Sequence, residues 1–410
     1  MVGGLGVNKV LQLYKNAYGG LSQESWMLAL VILINRSGSM VLPFLSIYLT
    51  ANLGYGVKEA GYIISMYGIG SVIGGLGGGW LTDRIGHFKV QWLSLVVSGS
   101  LFLVIAYLKD YYILMIGILL VSMIAESLRP ANASSIAYYA KPENLTRAFS
   151  LNRMAVNLGF SIGPSLGGLL AFYSFKLLFL ADGFTCIVAG LVFFFYFRNR
   201  KGRKPATREE RKLASKSRSP FSDPLYLSFI VLTCLYASMF FQLFMTLPLY
   251  YRDVYQLSER GIGGMLTLNG AIVFLVEMVL VYVIGSRYKS GSLIGLGTIL
   301  LGISFILLNM YAGISILIVS MIILSMSEIL AMPYMATIAV ERSVEANRGA
   351  YMGLYTVSYS GAFIIAPLCG TYIIEHYGFD DLWYGIFILS ILVAISLYLI
   401  VNRMKPSLET

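Results

Sequence analysis

The sequence predicts an all-α polytopic membrane protein, with twelve transmembrane helices in two pseudo-symmetric six-helix bundles. Three observations carry this expectation. Of 410 residues, 57% are hydrophobic and only 12% charged. A soluble domain carries about 25% charged residues, so this chain has too little polar surface to cover a water-soluble globule. Apolar stretches of membrane-crossing length recur about twelve times, and features of the first half return about 200 residues later. A soluble enzyme, a secreted disulfide scaffold and a disordered chain are excluded.

The elements follow in chain order. The first 26 residues lack the apolar core and small-residue cleavage site of a signal peptide. With Lys9 and Lys15 they read as a short cytoplasmic lead-in. A helix crosses the hydrocarbon with about 20 mostly apolar residues. Such stretches fall at 27–51, 58–82, 88–108, 111–139, 146–173, 176–197, 223–251, 260–285, 290–310, 313–340, 348–376 and 381–402. Turn residues punctuate them, among them Asn52-Leu53-Gly54, Lys109-Asp110, Lys141-Pro142-Glu143 and Asp380-Asp381. No stretch alternates apolar and polar residues as a barrel strand does.

Between the sixth and seventh stretches lies the one long polar segment, a basic cytoplasmic linker at 198–222. It divides the chain into an N-terminal bundle, 1–197, and a C-terminal bundle, 223–410. With the N-terminus inside, 22 basic residues fall on the cytoplasmic side and five (Lys58, Lys109, Lys176, Arg252 and Arg260) outside. Both termini are therefore expected in the cytoplasm, in a multi-pass protein of the inner (plasma) membrane. The net charge of +10 thus reports topology and contact with membrane lipids, not nucleic-acid binding.

The repeat is visible in four places. Glu59-Ala60-Gly61-Tyr62 matches Glu259-Arg260-Gly261-Ile262, and Pro43 matches Pro248. Pro130 before Ser135-Ile136-Ala137 matches Pro333 before Thr337-Ile338-Ala339, and Gly163-Pro164-Ser165-Leu166-Gly167 matches Ala366-Pro367-Leu368-Cys369-Gly370. Parallel six-helix repeats with a site at mid-membrane between them are the plan of a rocking transporter.

After the second span stands Gly79-Trp80-Leu81-Thr82-Asp83-Arg84-Ile85-Gly86-His87-Phe88-Lys89. Asp83 can be met there by basic groups or by a neighbouring helix N-terminus. Gly79 permits close packing and Gly86 a tight turn. The run closely resembles the G-x-L-x-D-R-x-G-R-K signature of the major facilitator superfamily, with His87 and Phe88 in place of its basic pair. The resemblance implies a conformational latch, so Asp83, Arg84, Gly79 and Gly86 are assigned to gating. The fifth span holds Gly159-Phe160-Ser161-Ile162-Gly163-Pro164-Ser165-Leu166-Gly167-Gly168, with glycines four apart for close helix approach. It resembles the antiporter motif of the twelve-span drug:proton exporters, so Gly159, Gly163, Pro164 and Gly167 are read as a helix-packing motif. The fourth span departs from that branch. It reads Glu126-Ser127-Leu128-Arg129-Pro130-Ala131-Asn132, where exporters carry an arginine followed by a glycine-rich run.

Ionisable groups at bilayer depth cost about 2.5–3.5 kcal/mol or more each, so they face a cavity or a partner. The set is Arg36, Glu126, Arg129, Arg153, Asp182, Glu277 and Glu328. In the resembled superfamily spans 1, 4, 7 and 10 line the cavity, which makes Arg36, Arg129, Asn132, Gln242 and Tyr334 candidate substrate-binding residues. Glu126 and Arg129, three apart, share a helix face. Glu328, with no basic residue on its own span, is the expected proton carrier, and Glu126 the alternative. Arg153, Asp182 and Glu277 read equally as bracing groups or as parts of the site.

The resemblance implies secondary active transport of a small organic solute by alternating access, coupled to protons, with efflux by antiport favoured. The alternative is proton-coupled uptake of a zwitterion such as a short peptide. Asn35-Arg36 with Glu328 is loosely similar to the proton-coupled oligopeptide transporters, but Ile32-Leu33-Ile34 replaces their acidic cluster. A non-transporting sensor on the same scaffold is a third reading. Cys186, Cys234 and Cys369 sit in apolar stretches and His87 and His376 are the two histidines, so no metal site, cofactor or enzymatic activity is expected. A monomer encloses its own path.

Overall fold

The computed structural model describes residues 11–200, 219–257, 259–285, 287–310 and 313–404. Most of the basic linker, 201–218, lies outside them, as do Lys9 and Lys405 of the orientation count. Among the described residues, twelve helices are long and apolar enough to cross a membrane. They are α1 (Gln23–Leu45), α2 (Glu59–Ile85), α3 (His87–Ile105), α4 (Tyr111–Tyr139), α5 (Pro142–Tyr173), α6 (Phe175–Phe197), α7 (Pro224–Asp253), α8 (Gly261–Gly285), α9 (Ser290–Met310), α10 (Ile314–Glu341), α11 (Glu345–Tyr377) and α12 (Phe379–Arg403). No strand occurs among the described residues. A backbone in hydrocarbon must satisfy its own hydrogen bonds, and the helix does so within one segment.

Three spans are interrupted. In α1 the helix stops at Ser37 and restarts at Val41, and in α4 it passes from Glu126 to Leu128 through Ser127, just ahead of Pro130. In α7 three pieces, Pro224–Phe240, Gln242–Met245 and Leu247–Asp253, replace one helix, the last with Pro248 in its first turn. By contrast Pro333 and Pro367 lie inside unbroken helices of α10 and α11. The α1 break is held by a carboxylate from outside the span. Asp182 of α6 accepts the Met40 N–H at 2.9 Å and the Val41 N–H at 3.1 Å, capping the restarted helix as an anion caps any helix N-terminus.

The packing repeats with a shift of six. Helix α1 packs on α5 as α7 does on α11, α2 on α4 as α8 on α10, and α3 on α6 as α9 on α12. Between the halves, α2 meets α11 and α5 meets α8, and these two seams are exchanged by the same relation. Glycine makes the first seam and its flank possible. On one side of α2, a Cβ on Gly70, Gly74 or Gly78 would lie 2.0 Å from Ser122 Oγ, 2.2 Å from the Met123 carbonyl or 2.5 Å from Ser127 Cα of α4. On the other side, Gly79 and Gly75 lie against Gly349 and Gly353 of α11, where a Cβ on Gly79 would stand 2.3 Å from the Gly349 carbonyl. Without side chains the backbones approach closely, which is how dispersion holds helices together in lipid.

The halves touch mainly towards the face where Arg84, Lys141, Arg147 and Arg348 lie at helix ends, here called the basic face. Ser71 and Ser360 hydroxyls meet at 3.0 Å and Thr146 and Thr337 at 2.9 Å. At the opposite ends of the same seams, Gly61 of α2 and Gly263 and Gly264 of α8 have nothing within 4 Å of a would-be Cβ. The molecule is closed on the basic face and parted on the other.

Gly74→Ala should overpack the α2–α4 contact and lower stability by about 1–3 kcal/mol. Gly77→Ala, with open space at its Cβ position, should be neutral or slightly stabilising, since alanine favours helix over glycine. Thermal unfolding of the two detergent-solubilised variants checks the contrast.

Candidate functional site

The site is built from charges that each bundle could not bury alone. Arg153 lies on α5, Glu277 on α8 and Glu328 on α10. The guanidinium donates through Nε to Glu277 Oε1 and through Nη2 to Glu277 Oε2, both at 3.0 Å, a two-pronged pairing that guanidinium geometry favours. The same Nη2 lies 3.1 Å from Glu328 Oε1, and Nη1 donates to the Met332 sulfur at 2.8 Å. Asn269 of α8 donates to Glu328 Oε2 at 3.2 Å and to Ser325 Oγ at 3.0 Å. Glu277 is fully buried and Glu328 nearly so. One cation from the N-terminal half therefore holds two carboxylates from the C-terminal half. With all three ionised, one negative charge is left over.

Glu328 thus finds its basic partner on another helix. Glu126, the alternative carrier, pairs with Arg129 on its own span, Nε to Oε2 at 2.5 Å, with the Arg129 side chain 40% exposed. Arg36, at the α1 break, has no ion-pair partner among the described residues. Its Nε is buried without a hydrogen-bond partner, and the guanidinium lies 5.6 Å from the Phe160 ring centroid. The structure brings Glu328 to Arg153 and Glu277, not to Arg36.

The other candidate contacts sit inside the bundles. Asn132 belongs to a buried polar chain. It accepts from Gln91 Nε2 and donates to Asn152 Oδ1, both at 2.9 Å, while Ser135 bridges Gln91 and His87 at 2.7 Å each. Gln242 donates to the Ala366 carbonyl at 2.9 Å and accepts from Thr246 at 2.8 Å, tying the second piece of α7 to α11. Tyr334 is 2% exposed and its hydroxyl lacks a hydrogen-bond partner among the described residues. A Cβ on Gly285, at the basic end of α8, would lie 3.0 Å from that hydroxyl.

The gating motif joins the two halves. Asp83 accepts the Gly349 N–H through Oδ1 and the Ala350 N–H through Oδ2, each at 2.8 Å, so it caps the start of α11, one of the two partners foreseen for it. Gly86 takes φ +86° and turns the chain from α2 into α3. Gly79 sits at the α2–α11 backbone contact, and the Arg84 guanidinium lies 3.9 Å from the Trp80 ring centroid. The fifth-span glycines seat the broken segment of α1. Cβ atoms would lie 2.5 Å from Arg36 Cβ at Gly159, 3.2 Å from the Arg36 and Ser39 carbonyls at Gly163, and 3.0 Å from Phe44 Cε2 at Gly167. Pro164 falls within that helix, and its side chain lies outside those described.

Arg153 and Glu277 are the members that sequence reasoning left undecided. Their signal was present as two ionisable residues in apolar spans, but their pairing joins positions 124 residues apart, beyond any local face argument.

The family profile of the Major Facilitator Superfamily matches residues 27–343 and 280–409. The chain is 26% identical over 388 residues to an uncharacterized MFS-type transporter, YttB, of Bacillus subtilis (strain 168), covering 93% of this chain and 96% of that one. It is 24% identical over 366 residues to a Na(+), Li(+), K(+)/H(+) antiporter of Planococcus maritimus, covering 82% and 85%. The fold is similar to that of the human organic anion transporter MFSD10 (TETRAN), with a TM-score of 0.72 at 16% identity over 91% of this chain and 100% of that one.

Asp83→Ala should leave the Gly349 and Ala350 amides without their acceptor. Hydrogen–deuterium exchange of the peptide covering them should rise by about tenfold or more, since a hydrogen bond to a charged group contributes about 1.5–3 kcal/mol. Unchanged exchange would contradict the cap.

Proposed function

The chain belongs to the major facilitator superfamily, and we propose that it is a proton-coupled antiporter that exports a small organic solute, with Glu277, Glu328 and Arg153 as its exchange site. The basic face is the cytoplasmic one on this reading. The observation that carries it is the two-to-one ratio of carboxylates to guanidinium across the seam between the halves. A surplus negative charge in a membrane interior is costly and is neutralised by one proton, or by a cationic group of a solute that takes the proton's place. Two ligands that compete for one charge are exchanged, which is antiport. The antiporter among the relatives supports the same direction of reading.

Geometry supplies the coupling. Arg153 moves with one half and both carboxylates with the other, so opening the basic face breaks the bridge. Separating a buried pair costs about 3–5 kcal/mol while both partners stay charged. Protonation of the carboxylates lowers that cost, and the open cavity then releases the proton to the cytoplasm. Arg36 and Arg129 on the opposite wall contact the solute, and Asp83 caps α11 in the closed form.

In proteoliposomes with an imposed pH gradient and a screened pool of metabolites, peptides and lipophilic cations, solute flux should run against proton flux. Glu328→Gln should abolish gradient-driven accumulation and leave solute exchange within about threefold of the wild type, and Glu277→Gln should act in the same direction. Proton flux coupled normally in both variants would refute the site. Flux of solute with protons would make the protein an importer, and dependence on sodium alone would replace the ion.

A further inference from the structure

Before the first span, residues 11–18 form a short helix that no part of the transport scheme uses. It lies along the α5–α8 seam, and its contacts come from both halves. At its C-terminal end Arg147 of α5 donates through Nη1 to the carbonyls of Asn16, Ala17 and Gly19 at 3.2, 3.0 and 3.1 Å. These are the carbonyls that a helix end leaves unsatisfied, and a guanidinium suits their partial negative charge. Asn144 adds a bond to the Gly20 carbonyl at 2.7 Å. Gly20 itself takes φ +77°, the left-handed conformation that closes helices. Tyr18 reaches the Met154 sulfur at 3.5 Å and stacks on Trp26, ring centroids 5.7 Å apart, and Ala17 is fully buried. All of these anchors belong to the N-terminal half.

Two contacts cross the seam. The Tyr14 hydroxyl donates to the Leu275 carbonyl of α8 at 2.6 Å, and the Arg147 guanidinium lies 5.2 Å from the centroid of the Tyr282 ring of α8. Leu275 stands ten residues before the basic end of α8, a depth of about 15 Å at 1.5 Å per residue. The helix therefore reaches along the seam to within two residues of Glu277. The other seam is fastened by Asp83 on α11. At the position equivalent to Asp83-Arg84, by the same offset of about 203 that relates Pro130 to Pro333, the second half reads Ser286-Arg287. The repeat lacks the latch carboxylate where the α5–α8 seam would need it.

We propose that residues 11–18 are a strap that holds the α5–α8 seam closed on the basic face, in place of the missing second latch. The strap stays with α5 and leaves α8 each time that face opens. Its grip on Leu275, beside the Arg147–Tyr282 contact, sets the balance between closed and open forms, whatever solute or ion is carried.

The test measures that balance without transport. Spin labels at Lys141→Cys and Tyr288→Cys, in a background with Cys186, Cys234 and Cys369 replaced by serine, report the separation of the halves at the basic face by double electron–electron resonance in nanodiscs. Tyr14→Phe keeps the ring and loses the bond to α8, so the open-to-closed ratio should rise by roughly three- to tenfold, the worth of one hydrogen bond. Deletion of residues 1–20 should raise it further, and Leu11→Ala, at an exposed position, should leave it unchanged. A rise in Tyr14→Phe or in the deletion, absent in Leu11→Ala, supports the strap. Ratios unchanged or lowered in both, or an equal rise in Leu11→Ala, overturn it. Because no gradient or solute is present, a failed exchange site cannot be mistaken for a failed strap.

Discussion

One guanidinium shared by two carboxylates across the middle of the molecule is the constraint on which the rest depends. Among the described residues, Arg153 has no carboxylate to pair with in its own half, where Arg36 and Arg129 already stand against Glu126 and Asp182. Glu277 and Glu328 would be two unpaired anions without it. Each half is thus electrically unbalanced, and the closed basic face brings the opposite charges together with one negative charge to spare. In hydrocarbon, where apolar side chains gain nothing by leaving lipid for each other, such pairing and close backbone contact are what remain to hold helices together.

The two seams solve the same problem with different parts. At α2–α11, glycines let backbones touch and Asp83 caps the facing helix, so the contact is short and made of backbone dipoles. At α5–α8, the contact is made by long side chains, Arg153 to the carboxylates and Arg147 towards Tyr282. Backbone contact between rigid helices is lost over a small separation. Long side chains can follow a moving partner further. A rocking motion about the pseudo-twofold relation would release α2–α11 first, leaving the charged bridge as the last contact, the one on which the proposed proton acts.

Much of the fold was legible because hydrophobic length is a one-dimensional property. Twelve apolar stretches and the repeat of Pro130 in Pro333 or Gly163 in Ala366 needed no three-dimensional information. Local side-chain relations were legible too: Glu126 and Arg129, three apart, do pair, and Asp83 does meet a helix N-terminus. The facing of a helix was not. Asn132, Gln242 and Tyr334 were assigned to the cavity from their spans alone, yet Asn132 bonds to Gln91 and Asn152, Gln242 to Ala366, and Tyr334 packs at the end of α8. A transmembrane helix is apolar on every side, so periodicity does not distinguish a face turned to a neighbour from one turned to water. The same blindness left Arg153 and Glu277 as two separate charges. It also hid the role of Gly70, Gly74 and Gly78, whose spacing is common in lipid and whose partner helix α4 could not be named.

The most direct test of the central claim is the pH dependence of the distance between the two halves at the basic face, measured in nanodiscs in the absence of solute. If a proton on the carboxylates loosens Arg153, acidification should shift the wild type towards the open form. The Glu277→Gln/Glu328→Gln double variant should then respond to pH no more than a protein without that bridge. Superimposable pH curves for the wild type and the double variant would contradict the account.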